Sequence, residues 1–199
     1  MLPFAEACER NKGPILGVLR TELTGRSCVL EIGSGTGQHA VYFARHLPHL
    51  TWQPTELASG LADLAARIRL EGGSNLRPPE LLNVRQQNWP VQAAVDAIFT
   101  ANTFHIMSWP DVEATFRGVR AVLSAGGVMC VYGPFRYSGR YTSESNRQFD
   151  QMLQARDPQS GLRDIEAILP LARAADLELI SDNDLPANNR LLVFRKQPA

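Results

Sequence analysis

Three glycines at two-residue spacing, Gly33, Gly35 and Gly37, follow an apolar run carrying one acid, in "VLEIGSGTGQHAVYFARHL" from Val29 to Leu47. Glycine between a strand and a helix lets the main chain turn sharply and approach a ligand. The unpaired N–H groups and positive dipole end of the following helix face the same point. Two glycines alone are equally well explained by a tight turn. Three, interleaved with Ser34 and Thr36 and preceded by Glu31 inside an apolar strand, describe a binding loop. The loop departs from the dinucleotide pattern G-x-G-x-x-G, whose third glycine lets the helix pack closely under a pyrophosphate. Counting from Gly33, that position is Gln38. No G-x-x-x-x-G-K-S/T stretch occurs, which excludes a P-loop. A carboxylate beside the loop repels a pyrophosphate and suits a cation. The charge therefore favours a sulfonium amino-acid cofactor over a phosphorylated one, and Gln38 argues against a nicotinamide oxidoreductase on the same sheet topology.

The elements that must hold this loop alternate in type. Asn11–Leu23 places Ile15, Leu16, Leu19 and Leu23 on one helical stripe, with Pro14 suited to its first turn. Strands are expected at Ser27–Gly33, Thr51–Leu57, around Leu82–Gln87, Val95–Asn102 and Val128–Phe135. Helices are expected at Gln38–Leu47, Gly60–Gly72 and Asp111–Gly127. The stretch Gly72–Glu80 is rich in turn formers and reads as a surface loop. Strands alternating with helices imply a mostly parallel sheet. The tail differs: Arg136–Pro158 is polar and ends in a helix from about Glu144, with Phe149, Met152 and Leu153 as its apolar face. A further helical region, Leu162–Ala175, is expected to break at Pro170. Leu177–Ser181 and Leu191–Phe194 are placed as an antiparallel pair at the sheet edge.

Totals narrow the partners. At 199 residues the chain suits one α/β domain, 1–199, with a helical amino-terminal cap over 1–24 and a helical insertion over 136–175. Twenty basic residues balance twenty acidic ones, so there is no net attraction to nucleic acid or to an anionic lipid surface. Cys8, Cys28 and Cys130 are odd in number, and the last two sit in apolar runs, as buried thiols in a reducing compartment do. No charged leader precedes an apolar stretch, and no run approaches the ~20 apolar residues of a membrane span. A cytoplasmic location is the expectation. His39, His46 and His49 lack cysteine or carboxylate partners at ligand spacing, so no metal site is expected.

"LEIGSGTG" resembles the first motif of class I S-adenosylmethionine-dependent methyltransferases, and the order of elements resembles their seven-stranded, doubly wound, Rossmann-like sheet with an antiparallel last strand. "ACERNKGPIL", "LEIGSGTGQHAVYFA", "SGLRDIE" and "LPANNRLLVFR" together resemble domain-of-unknown-function family 938, which includes the methyltransferase-like 26 proteins; the similarity spans nearly the whole chain. The resemblance implies S-adenosyl-L-methionine as cofactor, S-adenosyl-L-homocysteine as product, and a small-molecule acceptor methylated on oxygen, nitrogen or sulfur. It implies that Glu31 and the loop through Gly33, Ser34, Gly35 and Gly37 meet the methionine part. Glu56, followed by Leu57 at the end of the second strand, would hold both ribose hydroxyls, a task suited to an acceptor-only carboxylate. Asn88 and Trp89 in "QNWP" would meet the adenine, although Trp89 is equally suited to the core. Arg10 or Asn11, in a cap folded over the cofactor, would reach its carboxylate; Asn11 would serve equally as a helix cap.

In this fold the end of the fourth strand, "TANTFHIMSW", lies beside the reactive methyl, so Asn102 and His105 are the polar candidates there, with Phe104 next to them. His105 would take a proton near neutral pH, or simply line the pocket. Tyr132, Arg136, Tyr141 and Asn146 fall where the superfamily builds its acceptor pocket, and Tyr141 joins the catalytic candidates. Asn102 is followed by Thr103 and Phe104 rather than Pro-Pro, so the pattern of amino-methylating DNA enzymes is missing. A non-catalytic cofactor-binding or protein-interaction module on the same fold remains the alternative, and a monomer or a homodimer is compatible with either.

Overall fold

Every residue of β1 (Cys28–Ile32) is buried, as a strand covered by helices on both faces must be. The computed structural model describes residues 2–91 and 95–198; Met1 and Ala199, the ends of the expected domain, lie outside them. Before β1 comes α1 (Glu6–Glu22), and after it α2 (Gln38–His46), β2 (Thr51–Glu56), α3 (Ala58–Glu71) and β3 (Glu80–Leu81). Then follow β4 (Val95–Ala101), α4 (Trp109–Val122), β5 (Leu123–Gly133), β6 (Phe135–Tyr137), β7 (Arg140–Tyr141), α5 (Glu144–Arg156), β8 (Arg163–Asp164), α6 (Ile165–Ala174), β9 (Leu177–Leu185) and β10 (Asn189–Lys196).

The main sheet has seven strands in the order β3-β2-β1-β4-β5-β10-β9. β1 pairs in parallel with β2 on one side and β4 on the other, so the strand order reverses there. At such a reversal the two crossovers leave in opposite directions and open a crevice beyond the strand carboxyl ends. One apolar cluster lies on the face covered by α1 and α2, built from Ile15, Leu19, Phe43, Trp52, Phe99 and Val193. Another lies under α4 and α6, built from Leu30, Ile98, Phe116, Val131, Ile168 and Phe194. β10 is antiparallel to both β5 and β9 and sits between them, so the last strand is interior and β9 forms the edge.

Several boundaries differ from the sequence reading. α1 begins at Glu6, which puts Asn11 and Pro14 inside the helix and removes the capping role of Asn11. The third strand falls at Glu80–Leu81, upstream of the expected Leu82–Gln87, because Asn83 starts a turn there: its side chain accepts from the Arg85 N–H at 3.0 Å, and its carbonyl from the Gln86 N–H at 3.0 Å. α4 stops at Val122 and β5 starts there rather than at Val128, Leu123 already pairing with Val95. α6 runs unbroken through Pro170. Its Ile165, Ile168 and Ala172 belong to the main core, while β6, β7 and β8 form a small second sheet. The expected insertion over 136–175 is therefore mixed in character, and its last helix is a layer of the main fold.

Gln38, where the dinucleotide fingerprint wants glycine, ties the amino-terminal segment down. Its Oε1 accepts from the Ala5 N–H at 2.6 Å, and its Nε2 donates to Glu9 Oε1 at 3.0 Å. Arg67 on α3 adds a bond to the Pro3 carbonyl and another, of 2.6 Å, to the Thr36 carbonyl. Gly37, at the start of α2, has φ +79°, and a Cβ there would meet Leu64 Cδ1 at 2.7 Å. Gly37→Ala should lower stability by about 1–3 kcal/mol through left-handed strain and overpacking, read as a reduced urea midpoint at unchanged m.

Candidate active site

A cavity of about 790 Å³ opens at the strand reversal. Residues 31–36, His39, Glu56 and Leu57 form one wall, and residues 82–85, 101–103 and 106–108 with Asp111 form another. Ala5, Ala7 and Cys8 of the amino-terminal segment, with Asp157 and Gln159, complete the lining. The loop after β1 is held open by its own bonds. The Ser34 N–H donates to the Thr55 carbonyl at 2.9 Å, and the Ser34 carbonyl accepts from the Gly37 N–H at 2.9 Å. Gly33 has φ +69°, and a Cβ there would strike Thr103 Cγ2 at 2.7 Å, so only glycine lets β1 and β4 close on each other at this point.

Two carboxyl groups flank that loop. Glu31 is 2% exposed, and Trp52 Nε1 donates to its Oε2 at 2.9 Å. Burial pushes its pKa up to about 7, against the pull of the Trp52 and Ser34 hydrogen bonds, and the nearby charge of Glu56 pushes the same way. Glu56 accepts the Gly35 N–H at 2.6 Å on one oxygen and the Leu57 N–H at 2.8 Å on the other. Each oxygen keeps a lone pair, so the carboxylate has capacity for two more donors. Asn102, at the end of β4, has φ +58°, a conformation asparagine tolerates better than most residues, and its N–H donates to the Tyr132 carbonyl at 2.9 Å.

A profile of the family described as "Protein of unknown function (DUF938)" matches residues 2–196. The chain belongs to that family. Among solved structures it is similar to an O-methyltransferase family protein from Burkholderia thailandensis, with 15% identity, a TM-score of 0.81, and 98% of this chain and 58% of that one covered. It is also similar to human N-acetylserotonin methyltransferase in complex with SAM, with 13% identity, a TM-score of 0.81, and 97% and 53% covered. A putative O-methyltransferase from Nostoc punctiforme gives 17%, 0.81, 95% and 56%. The chain thus spans little more than half the length of these proteins. At such identities the likeness is one of fold: the Rossmann-like sheet of class I S-adenosylmethionine-dependent methyltransferases.

Within this DUF938 chain the structure brings Glu31, Gly33, Ser34, Gly35, Glu56, Leu57 and Asn102 to the cavity wall. It does not bring Arg10, which is exposed and paired with Glu6 at 3.2 Å, nor Asn11, whose Oδ1 meets His39 Nε2 at 2.7 Å. Gly37 faces α3, and Asn88 is exposed away from the cavity. Trp89 belongs to the core: its ring lies against Gly118, and Nε1 donates to the Val84 carbonyl at 3.3 Å.

The expected acceptor group is also dispersed. Phe104 packs on Phe116, and His105, 5% exposed, packs edge-on to Phe149 with ring centres 5.3 Å apart. Burial, with the charge of Arg163, pushes His105 down to about 4. Arg136 pairs with Asp164 at 2.6 Å, the Tyr141 hydroxyl donates to Asp150 at 2.6 Å, and Asn146 Nδ2 donates to the Asn188 carbonyl at 3.1 Å. These bonds hold the small sheet and α5 together, and none of these residues lines the cavity. Tyr132 is buried on the other face of the sheet, under α1.

Sequence reasoning passed over Cys8, His39, Asn83, Arg85, Ser108 and Asp111 as lining residues. One signal was available: "SWPD" is a capping box, in which Ser108 accepts from Asp111 N–H and Asp111 from Ser108 N–H, and Arg85 bonds both side chains. Because Trp89 is core, Trp89→Ala should destabilise the protein by about 3–5 kcal/mol in denaturant unfolding, whereas Asn88→Ala should change stability by less than about 0.5 kcal/mol.

Proposed function

We propose that this protein transfers a methyl group from S-adenosyl-L-methionine to an oxygen, nitrogen or sulfur atom of a small-molecule acceptor, leaving S-adenosyl-L-homocysteine. One observation carries the reading: two carboxyl groups, one buried and one with spare lone pairs, stand on either side of a glycine loop in a cavity at the sheet reversal. These residues fit the cofactor. Glu31 would face its cationic methionine end and Glu56 its two ribose hydroxyls, while the amino end of α2 favours its carboxylate. Leu57 and Leu82 offer an apolar slot for adenine in place of Trp89. When bound, the cofactor supplies a methyl group activated by a sulfonium. The chain then has to hold the acceptor in line with it and keep water out, which is worth several kcal/mol. Asn102, held in its left-handed conformation at the end of β4 and lining the cavity, would orient the reacting groups. The names of the similar solved structures support the reaction class, and the even charge balance supports a small molecule over a nucleic acid.

Calorimetry should show binding of both S-adenosyl-L-methionine and S-adenosyl-L-homocysteine, weakened by ~1–3 kcal/mol in Glu56→Ala, the cost of hydrogen bonds lost to a charged group. No binding by the wild type would refute the reading. Affinity should also depend on pH with a definite sign. A cationic ligand favours ionised Glu31, whose carboxyl in the free protein titrates at about 7, so binding below that pH must release a proton. Affinity should therefore fall as pH drops through this range, by up to about tenfold per unit, and Glu31→Gln should flatten the profile.

A further inference from the structure

His39 is the second residue of α2, 5% exposed, and lines the cavity together with Glu31 and Cys8. Its ring stacks on Phe43 with centres 5.2 Å apart, which fixes the plane of the imidazole. Nε2 lies 2.7 Å from Asn11 Oδ1. An amide oxygen only accepts, so Nε2 carries the proton and Nδ1 keeps its lone pair. The Tyr132 side chain neighbours Asn11. Nδ1 has no hydrogen-bond partner among the described residues and keeps some accessible surface, in a residue that lines the cavity. The ring is a buried nitrogen base with a fixed tautomer, in a wall shared with Glu31, Gly33 and Cys8; Nε2 and the ring faces serve packing, while Nδ1 has no structural partner among the described residues.

We propose that His39 Nδ1 accepts the proton of the methyl acceptor, with Asn11 as its positioning residue, and that the acceptor is an uncharged hydroxyl or thiol compound. This rests on the methyltransferase reading above. As the acceptor's oxygen or sulfur bonds to the methyl carbon, the carbon–sulfur bond of the sulfonium donor breaks and its electron pair stays on the donor sulfur. The acceptor's own proton passes to Nδ1 and from there to solvent. Burial pushes His39 down to about 4, so the ring is neutral and ready at physiological pH. A weak base suffices, because an oxygen or sulfur acquiring a methyl group becomes far more acidic than an imidazolium. The titratable and charged groups around the ring are Cys8, Glu9 and Lys12 on α1, Glu31 on β1 and Tyr132 on β5. The Cys8 thiol, pushed up to about 11 by burial, stays protonated and serves as wall. Among the described lining residues the one cation is Arg85, on the opposite wall, while Glu31 stands on this one, which disfavours an anionic acceptor here.

Phenol and 4-nitrophenol, the second largely ionised in mildly alkaline solution, serve as probes. In the complex with S-adenosyl-L-homocysteine, nitrogen-15 spectra should show His39 protonated at Nε2 alone, with the Nδ1 signal moving when phenol is added. With labelled S-adenosyl-L-methionine at saturating concentration for each variant, His39→Gln should lower phenol methylation by about a hundredfold or more and 4-nitrophenolate methylation by less than about tenfold. Asn11→Asp places a carboxylate on Nε2–H and should shift the acidic limb of the phenol pH–rate profile upward. Protonation at Nδ1, a silent Nδ1 signal, equal losses on both probes, no loss on either, or cofactor binding without methylation of either probe would each overturn the proposal. Failure of the wild type to bind the cofactor would instead strike the methyltransferase reading beneath it.

Discussion

Withdrawing the Glu31 carboxyl from water is the constraint around which this site is arranged. An isolated buried carboxylate is too costly to keep, so the group must be hydrogen-bonded, neutralised or matched to a cation. The fold supplies the first two in part. Trp52 reaches across from β2 with its indole N–H, and the carboxyl remains half protonated near neutrality. Strand register makes this possible: Glu31 stands opposite Pro54 on β2, and the main chain of both residues is already engaged in the ladder or with the Thr55 hydroxyl. Among the described residues no cation pairs with this carboxyl, and the group lines the cavity.

That arrangement explains why so much of the site could be read from the chain. The glycine spacing and the acid before it are local features, fixed by backbone sterics and by Coulomb's law. The distance from Gly37 to Glu56 is set by one helix and one strand of ordinary length. The sheet order follows from alternating elements and right-handed crossovers. The acceptor side was opaque for the opposite reason. His105, Tyr141 and Asn146 carry suggestive chemistry, yet what decides their function is whether Phe149, Asp150 and Asn188 close over them, and those partners lie far along the chain. Asn11 reads as a cap until His39 is known to sit under it, and Trp89 reads as a ligand platform until Gly118 is known to leave room for it.

The element boundaries fail in a similarly physical way. Asn83 hydrogen-bonds its own downstream backbone and ends β3 after two residues, although the surrounding residues have fair strand character. Pro170 is tolerated within α6 because Ile165, Ile168 and Ala172 bury the helix against the sheet, and tertiary packing outweighs the loss of one backbone donor.

The interior placement of β10 has a consequence for assembly. A ribosome delivers β5 and β9 before the strand that belongs between them, so for that interval each offers an unsatisfied edge to any passing neighbour. The buried row Leu191–Phe194 pairs with β9 through a short hairpin and with β5 over a long range, residue 190 meeting residue 133 across more than fifty intervening positions. Chains lacking this segment would present one border of β5 unpaired, a template for association with another chain.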